Sequence, residues 1–257
     1  MKIEKFGRYE MGVHSKKIFD SDLIILSPGI PLNAINDNDS NKVPIISEVE
    51  FAYKYTKSSI MAITGSNGKS TTVSLLYKMV NSQYSNAMLG GNIGVPFSQN
   101  VLLEKKNKLS DVIHILELSS FQIETLKDFQ CDLLGLTNLK ADHLDRYKTF
   151  DKYAKSKLKI IKHLKCNGTI IFNNDDDNLN IYLKKNKNKI PISVLNKSNS
   201  LFSVINDKIV NNEKQDFIID LKNIHLKGKH NYYNILIAMH MASSFGIKVN
   251  TIKKNIK

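Results

Sequence analysis

The chain has 257 residues, 42% of them hydrophobic, enough to bury one large core or two smaller ones. No apolar run approaches the roughly 20 residues of a membrane span, Met1 to Gly7 lack a signal-like apolar segment, and two cysteines, Cys131 and Cys166, make no disulfide framework, so we expect a cytoplasmic setting and no membrane partner. The formal charge of +13 sits on lysines scattered among asparagines, as in Lys184 to Lys189, without interleaved aromatics, so nucleic acid is not an expected partner.

Taken in order, Asp22 to Leu26 reads as a strand running into the turn Ser27-Pro-Gly29. In open α/β sheets ligands bind just past the C-terminal ends of strands, which makes Ser27 and Gly29 candidates for a ligand loop or for a turn alone. Residues 36–42 are polar and loop-like, and Ile45 to Tyr55 suggests a short strand and helix.

Ile60 to Thr72 then reads as strand, glycine loop and helix. Ile60 to Ile63 is a short apolar run of buried-strand type. Gly65 and Gly68 bracket a loop whose backbone N–H groups can approach an anion. Val73, Leu76, Tyr77 and Val80 repeat at helical spacing. Lys69 and Ser70 open that helix, where free N–H groups and the dipole favour phosphate; Lys69 would reach outer phosphates and Ser70 would meet Mg²⁺. The general P-loop pattern asks for glycine where Ile63 stands, and a glycine-rich turn without nucleotide is the alternative.

Gly90 to Pro96 holds three glycines and a proline, a shaped loop in which Asn92 either offers its amide to a ligand or closes the turn. Val112 to Leu118 is a buried strand ending near Glu117, a carboxylate that needs a partner, for which Mg²⁺ is a natural choice. Asp132 to Asn138 is a third strand, delivering His143 between Asp142 and Asp145 as a metal candidate. A helix is expected from Phe150 to Leu164, with Phe150, Tyr153, Ala154, Ile161 and Leu164 on one face and Lys157 in its middle. Such a lysine either snorkels or is buried with a lowered pKa, and a neutral amine reacts with carbon dioxide to give an anionic carbamate. Thr169 to Asn174 is a fourth strand, followed by the acidic triplet Asp175 to Asp177. Residues 189–226 suggest an antiparallel or edge extension of the sheet, and Asn231 to Phe245 a helix stopped by Gly246. Alternating strands and helices imply a parallel α/β sheet.

Taken together, Thr64-Gly-Ser-Asn-Gly-Lys-Ser-Thr71, Gly90-Gly-Asn-Ile-Gly94, Glu117-Leu-Ser-Ser-Phe-Gln122, Thr137-Asn-Leu-Lys-Ala-Asp-His-Leu-Asp145, Tyr153-Ala-Lys-Ser-Lys157 and Gly228-Lys-His-Asn-Tyr-Tyr-Asn234 resemble the Mur ligases of peptidoglycan synthesis, relatives of folylpolyglutamate synthase. The family loop, Gly-x-Asn-Gly-Lys-[Ser/Thr], accounts for Ile63. The Glu117 to Gln122 string and Ser27-Pro-Gly-Ile-Pro31 look most like the D-glutamate-adding members.

The resemblance implies an α/β fold: a P-loop-type, mostly parallel sheet flanked by helices, preceded by a partial Rossmann-like domain. Residues 1–47 would be the last part of the UDP-sugar-binding domain and 48–257 a C-terminally incomplete ATP-binding domain. It implies ATP, two Mg²⁺ ions and a carbamate on Lys157, with UDP-N-acetylmuramoyl-L-alanine and D-glutamate as substrates. Gly65, Ser66, Asn67, Gly68, Lys69, Ser70 and Thr71 would cradle ATP, and Asn234 would contact adenine. Ser70 and Glu117 would bind one Mg²⁺, His143 and carbamylated Lys157 the other. Lys69, Glu117, His143 and Lys157 would be catalytic, while Ser27, Gly29 and Asn92 would face the UDP-sugar. A monomer is expected. So is the absence of amide-bond formation by this chain alone, because the family's amino-acid-binding domain is not among the motifs; an inactive or split ATP-binding piece, or another ligase of the same type, is the alternative.

Overall fold

A computed structural model of the chain describes Glu10, Ile35 and residues 15–30, 43–195, 200–214 and 216–256. The polar stretch 36–42, Pro31 and the segment 1–7 lie outside the described residues.

Two short strands, β1 (Ile24–Leu26) and β2 (Ile45–Ser47), pair in parallel, and α1 (Glu48–Tyr53) follows at once. The Glu50 carboxylate of α1 is buried and accepts backbone N–H bonds from Lys127, Asp128 and Phe129 at 2.9–3.1 Å. Next come β3 (Ser59–Thr64), α2 (Lys69–Asn81), β4 (Ala87–Gly91) and α3 (Phe97–Lys106). The chain continues through β5 (Ile113–Glu117), α4 (Ser120–Glu124), β6 (Cys131–Leu136), α5 (Leu144–Tyr147) and α6 (Phe150–Leu158). It goes on with β7 (Leu164–Asn173), α7 (Asp177–Leu183), β8 (Lys189–Ile192) and three strands β9 (Phe202–Ile205), β10 (Lys208–Asn211) and β11 (Asp216–Asp220). Two helices end it, α8 (Lys229–Ser244) and α9 (Val249–Lys254).

The central sheet has six parallel strands in the order β4-β5-β3-β6-β7-β8. Helices cover both faces, so its middle strands must be apolar on both sides. In β3, Met61 and Ile63 face α2 and α8, whereas Ile60 and Ala62 face the layer of α1, α3 and α6; all four are fully buried. Each such Ile or Met contributes about 2 kcal/mol of burial. The continuous run Ile60 to Ile63 therefore marks the sheet's centre.

Two expectations change. The helix expected to reach Leu164 ends at Leu158, tightens into a 3₁₀ turn over Lys159–His163, and Leu164 already begins β7. The tighter turn brings Ile160 into the core and leaves Ile161 and Leu164 partly buried. Residues 189–226 also divide. Lys189–Ile192 joins the sheet as a parallel edge strand, while β9, β10 and β11 form a separate antiparallel sheet. Asn206 and Asp207 both have positive φ (48° and 56°), the two-residue turn that closes a tight hairpin.

That small sheet is latched to α8 by His240. The buried ring accepts the Phe202 N–H at Nε2 (3.0 Å), and Nδ1 donates to the Leu236 carbonyl (2.7 Å). Both ring nitrogens are used, one as acceptor, so the ring must be neutral. Burial pushes its pKa from 6.5 down to about 4. Because the unfolded chain then binds the proton more readily, stability is full above pH 6.5 and lost as pH falls toward 4, by on the order of 3 kcal/mol. Urea unfolding followed from pH 7 to pH 4 is expected to show a shallower acid loss in His240→Gln than in the wild type; equal slopes would contradict the latch.

Candidate active site

The loop between β3 and α2 is clamped from the side by the segment after β6. Ser66 N donates to the Asn138 carbonyl (2.9 Å) and Asn67 N to Asn138 Oδ1 (3.0 Å). Thr137 Oγ1 and Asn138 Nδ2 return bonds to the Asn67 carbonyl at 2.6 and 2.9 Å. A side chain at Gly65 would come within 1.9 Å of Thr137 Oγ1, which is why that place is glycine. Gly68, at φ +83°, lies against Asn234 of α8, whose amide a side chain there would meet at 2.3 Å. α2 starts with no side-chain cap, leaving its first N–H groups for an anion. Lys69 folds back, Nζ donating to the Ser66 carbonyl at 2.9 Å.

Glu117, at the C-terminal end of β5, is 1% exposed. Its Oε2 accepts from Ser70 Oγ (2.7 Å) and its Oε1 from Asn92 Nδ2 (2.8 Å). A hydroxyl and a carboxylate beside a phosphate-type loop are hard oxygen donors, and they leave positions for phosphate oxygens and water, which is the way Mg²⁺ is usually held. Thr71 lies in the first turn of α2.

Lys157 is buried on α6, 3% exposed. Its amine lies 5.0 Å from the centre of the Tyr153 ring and has no hydrogen-bond or ion-pair partner among the described residues. Burial, and then the charge of Lys69, push its pKa down from 10.5 to about 7 against the opposing pull of Asp142 and Glu117. Tyr153 also joins this group to the loop, its hydroxyl 2.9 Å from Ser66 Oγ. His143 caps α5 at φ +49° and is half exposed. Its ring lies 6.3 Å from Tyr153 and 5.0 Å from Phe121, with Nε2 3.4 Å from Asp142 Oδ2. Lys157 and His143 thus share the Tyr153 ring as a neighbour, on the side of the loop away from Asn234. Among the described residues no three His, Cys, Asp or Glu side chains gather as a metal cage.

Ser27 and Gly29 are exposed on the turn after β1. Arg146 reaches that turn, donating to the Pro28 carbonyl at 3.5 Å while pairing with Glu124 (2.7 Å) and stacking 4.0 Å over Phe121. On the other side, a cavity of about 460 Å³ is lined by Asn67, Gly68, Asn138, Asp175, Tyr233 and Asn234. Asn234 is buried, its Nδ2 donating to Asn231 Oδ1 at 3.2 Å. Thr137, Asn138, Tyr153 and Tyr233 are contributors that the sequence did not single out by role, although all four stand inside its motif strings. In the acidic triplet, Asp175 already accepts from Ser193, Val194, Leu195 and Tyr233, and Asp176 from Leu139 and Leu179.

Residues 63–242 match the Mur ligase middle domain. The chain belongs to the Mur ligase family. It is 34% identical over 254 residues to the UDP-N-acetylmuramoylalanine--D-glutamate ligase of Lachnoclostridium phytofermentans, covering 95% of this chain and 54% of that protein. It is 36% identical over 253 residues to the enzyme of that name from Bacteroides fragilis, covering 96% of this chain and 56% of that one. The chain thus spans about half the length of the curated relatives it matches. Among solved structures, a UDP-N-acetylmuramoyl-L-alanyl-D-glutamate--2,6-diaminopimelate ligase superposes with a TM-score of 0.64 at 18% identity, over 82% of this chain and 53% of that one. The Neisseria meningitides UDP-N-acetylmuramate:L-alanyl-gamma-D-glutamyl-meso-diaminopimelate ligase gives 0.64 at 15%, over 93% and 79%. These likenesses show the Mur ligase fold: a mostly parallel sheet flanked by helices.

The buried amine gives a direct test of this site's electrostatics. After reductive ¹³C-methylation, the signal assigned to Lys157 by its loss in Lys157→Arg is expected to titrate near pH 7, and a midpoint above about 9 would contradict the described burial.

Proposed function

We propose that this chain supplies the ATP-binding part of an amide ligase that adds D-glutamate to UDP-N-acetylmuramoyl-L-alanine through an acyl phosphate. The observation that carries the reading is the convergence of Lys69, Ser70 and buried Glu117 at one loop, in a chain 34–36% identical to D-glutamate-adding relatives.

A carboxylate is a poor acyl donor because its leaving group would be oxide. Attack of the substrate carboxylate oxygen on the γ-phosphorus of ATP breaks the bond to ADP and gives an acyl phosphate. The amine nitrogen of D-glutamate then attacks the acyl carbon, phosphate leaves and the amine loses a proton. Catalysis of such a transfer is mostly positioning and charge neutralisation. Lys69 would exchange the Ser66 carbonyl for phosphate oxygens, and residues 65–71 would hold the phosphate chain. Ser70 and Glu117 would hold Mg²⁺, which offsets phosphate charge. His143 and a carbamate on Lys157 would hold a second ion near the acceptor carboxylate. Asn234 would line the purine side, in the cavity beside Gly68, while Ser27, Gly29 and Asn92 would meet the UDP-sugar. Residues 1–47 belong in this reading to the UDP-sugar domain and 48–257 to the ATP domain. A monomer working in the cytoplasm fits it, and among the described residues no helix is long and apolar enough to cross a membrane.

The decisive measurement is calorimetry of Mg·ATP on the chain. Lys69→Ala is expected to weaken binding by about 2–3 kcal/mol, roughly 30- to 150-fold; unchanged affinity would sink the nucleotide assignment. For the carbamate, ¹³C-bicarbonate is expected to add a carbamate carbon resonance to the wild type and none to Lys157→Ala. Identical spectra would remove the second metal site from this reading.

A further inference from the structure

We infer, resting on the ATP-dependent reading above, that Asn92 is a positioning residue for Glu117: its amide fixes one carboxylate oxygen so that the other is aimed at a divalent cation beside Ser70.

The sheet register creates the contact. β4 and β5 pair so that Gly91 lies opposite Glu117. Gly91 has φ +100°, and a side chain there would come within 2.3 Å of the Glu117 carbonyl oxygen, so only glycine lets the strand turn this close. The turn delivers Asn92 to Glu117 twice. Its backbone N–H donates to the Glu117 carbonyl at 2.8 Å, and its side-chain Nδ2 donates to Glu117 Oε1, also at 2.8 Å. Both the backbone and the carboxylate of Glu117 are therefore held by one residue.

The two donors on the carboxylate are not equivalent. Ser70 Oγ, on Oε2, carries a proton that rotates freely and a lone pair that can itself turn to a cation. The Asn92 amide NH₂ has no such second use and can only donate. When a cation arrives, Oε2 and the Ser70 oxygen can both swing to it, whereas Oε1 stays pinned. Without the amide, the terminal torsion of Glu117 is soft and broad, so the carboxylate would lose its aim. Outer groups that hydrogen-bond a ligating carboxylate are typically worth about 10- to 100-fold in metal affinity. Asn92 is exposed, so its own Oδ1 remains open to a substrate while Nδ2 faces inward.

The test is Mn²⁺ binding in the presence of a non-hydrolysable ATP analogue, read from the free-ion EPR signal, with thermal melting to check folding. Asn92→Ala is expected to weaken Mn²⁺ binding by about 10- to 100-fold, and Asn92→Gln, which keeps the amide donor, to restore most of it. Wild-type Mn²⁺ affinity in Asn92→Ala would overturn the inference alone. So would an Asn92→Gln variant that melts normally yet binds as poorly as Asn92→Ala. Absence of nucleotide-dependent Mn²⁺ binding by the wild type would overturn the functional reading and this inference with it.

Discussion

A carboxylate with almost no access to water has to be held by something, and Glu117 is the group around which this site is arranged. Burying an unpaired carboxylate costs several kcal/mol. Two hydrogen bonds and one charge offset that cost: the Asn92 amide from the turn after β4, the Ser70 hydroxyl of α2, and the nearby Lys157 amine when it carries its proton. The parallel register sets the meeting. Ile63 of β3 and Gly91 of β4 both lie opposite Glu117, so the glycine loop after β3 and the glycine turn after β4 emerge on either side of it. Slide either strand by one residue and the partners turn to the opposite face.

The same crowding explains the lysines. Burial, and after it the charge of Lys69, drive the Lys157 amine down to about 7, and that amine has no hydrogen-bond partner among the described residues. Lys69 keeps the Ser66 carbonyl and access to solvent. At Lys157 the amine is about half neutral near pH 7. That leaves a nucleophilic nitrogen beside a carboxylate, an imidazole and a phosphate-type loop.

Much of this was legible in the residues because it is local. Ile60 to Ile63 reads as a buried strand since both neighbours on each face are apolar, and Lys157 stands out because four-residue spacing puts it with Tyr153. The missing first glycine is equally plain: Ile63 is fully buried inside β3 and belongs to the strand, not to the loop. What could not be read depends on distant pairing. Nothing in Gly90 to Pro96 says that Asn92 will face Glu117, twenty-five residues on. Nothing in Tyr153 says that its hydroxyl will find Ser66. The acceptors of the acidic triplet are visible in the sequence, whereas the donors to Asp175 come from the segment after β8 and from α8. The end of α6 failed for a related reason, since a change from 3.6 to 3.0 residues per turn swaps Ile161 for Ile160 without altering composition.

The outlying antiparallel sheet also bears on the site, through α8. Asn234, against Gly68, and His240, holding Phe202, are six residues apart on one helix, about 9 Å along its axis. α8 packs along α2 between those two points, with Ile235, Leu236, Ile237, Ala238 and Met239 fully buried. A helix anchored at one end and packed along its length against α2 resists sliding. The neutral ring of His240 thus anchors α8 to Phe202 on the same helix that lays Asn234 against Gly68. A loop whose backbone must stay open to an anion cannot be rigidified by filling it with side chains. Its rigidity has to come from neighbours, and here it comes from Asn138 on one side and from this anchored helix on the other.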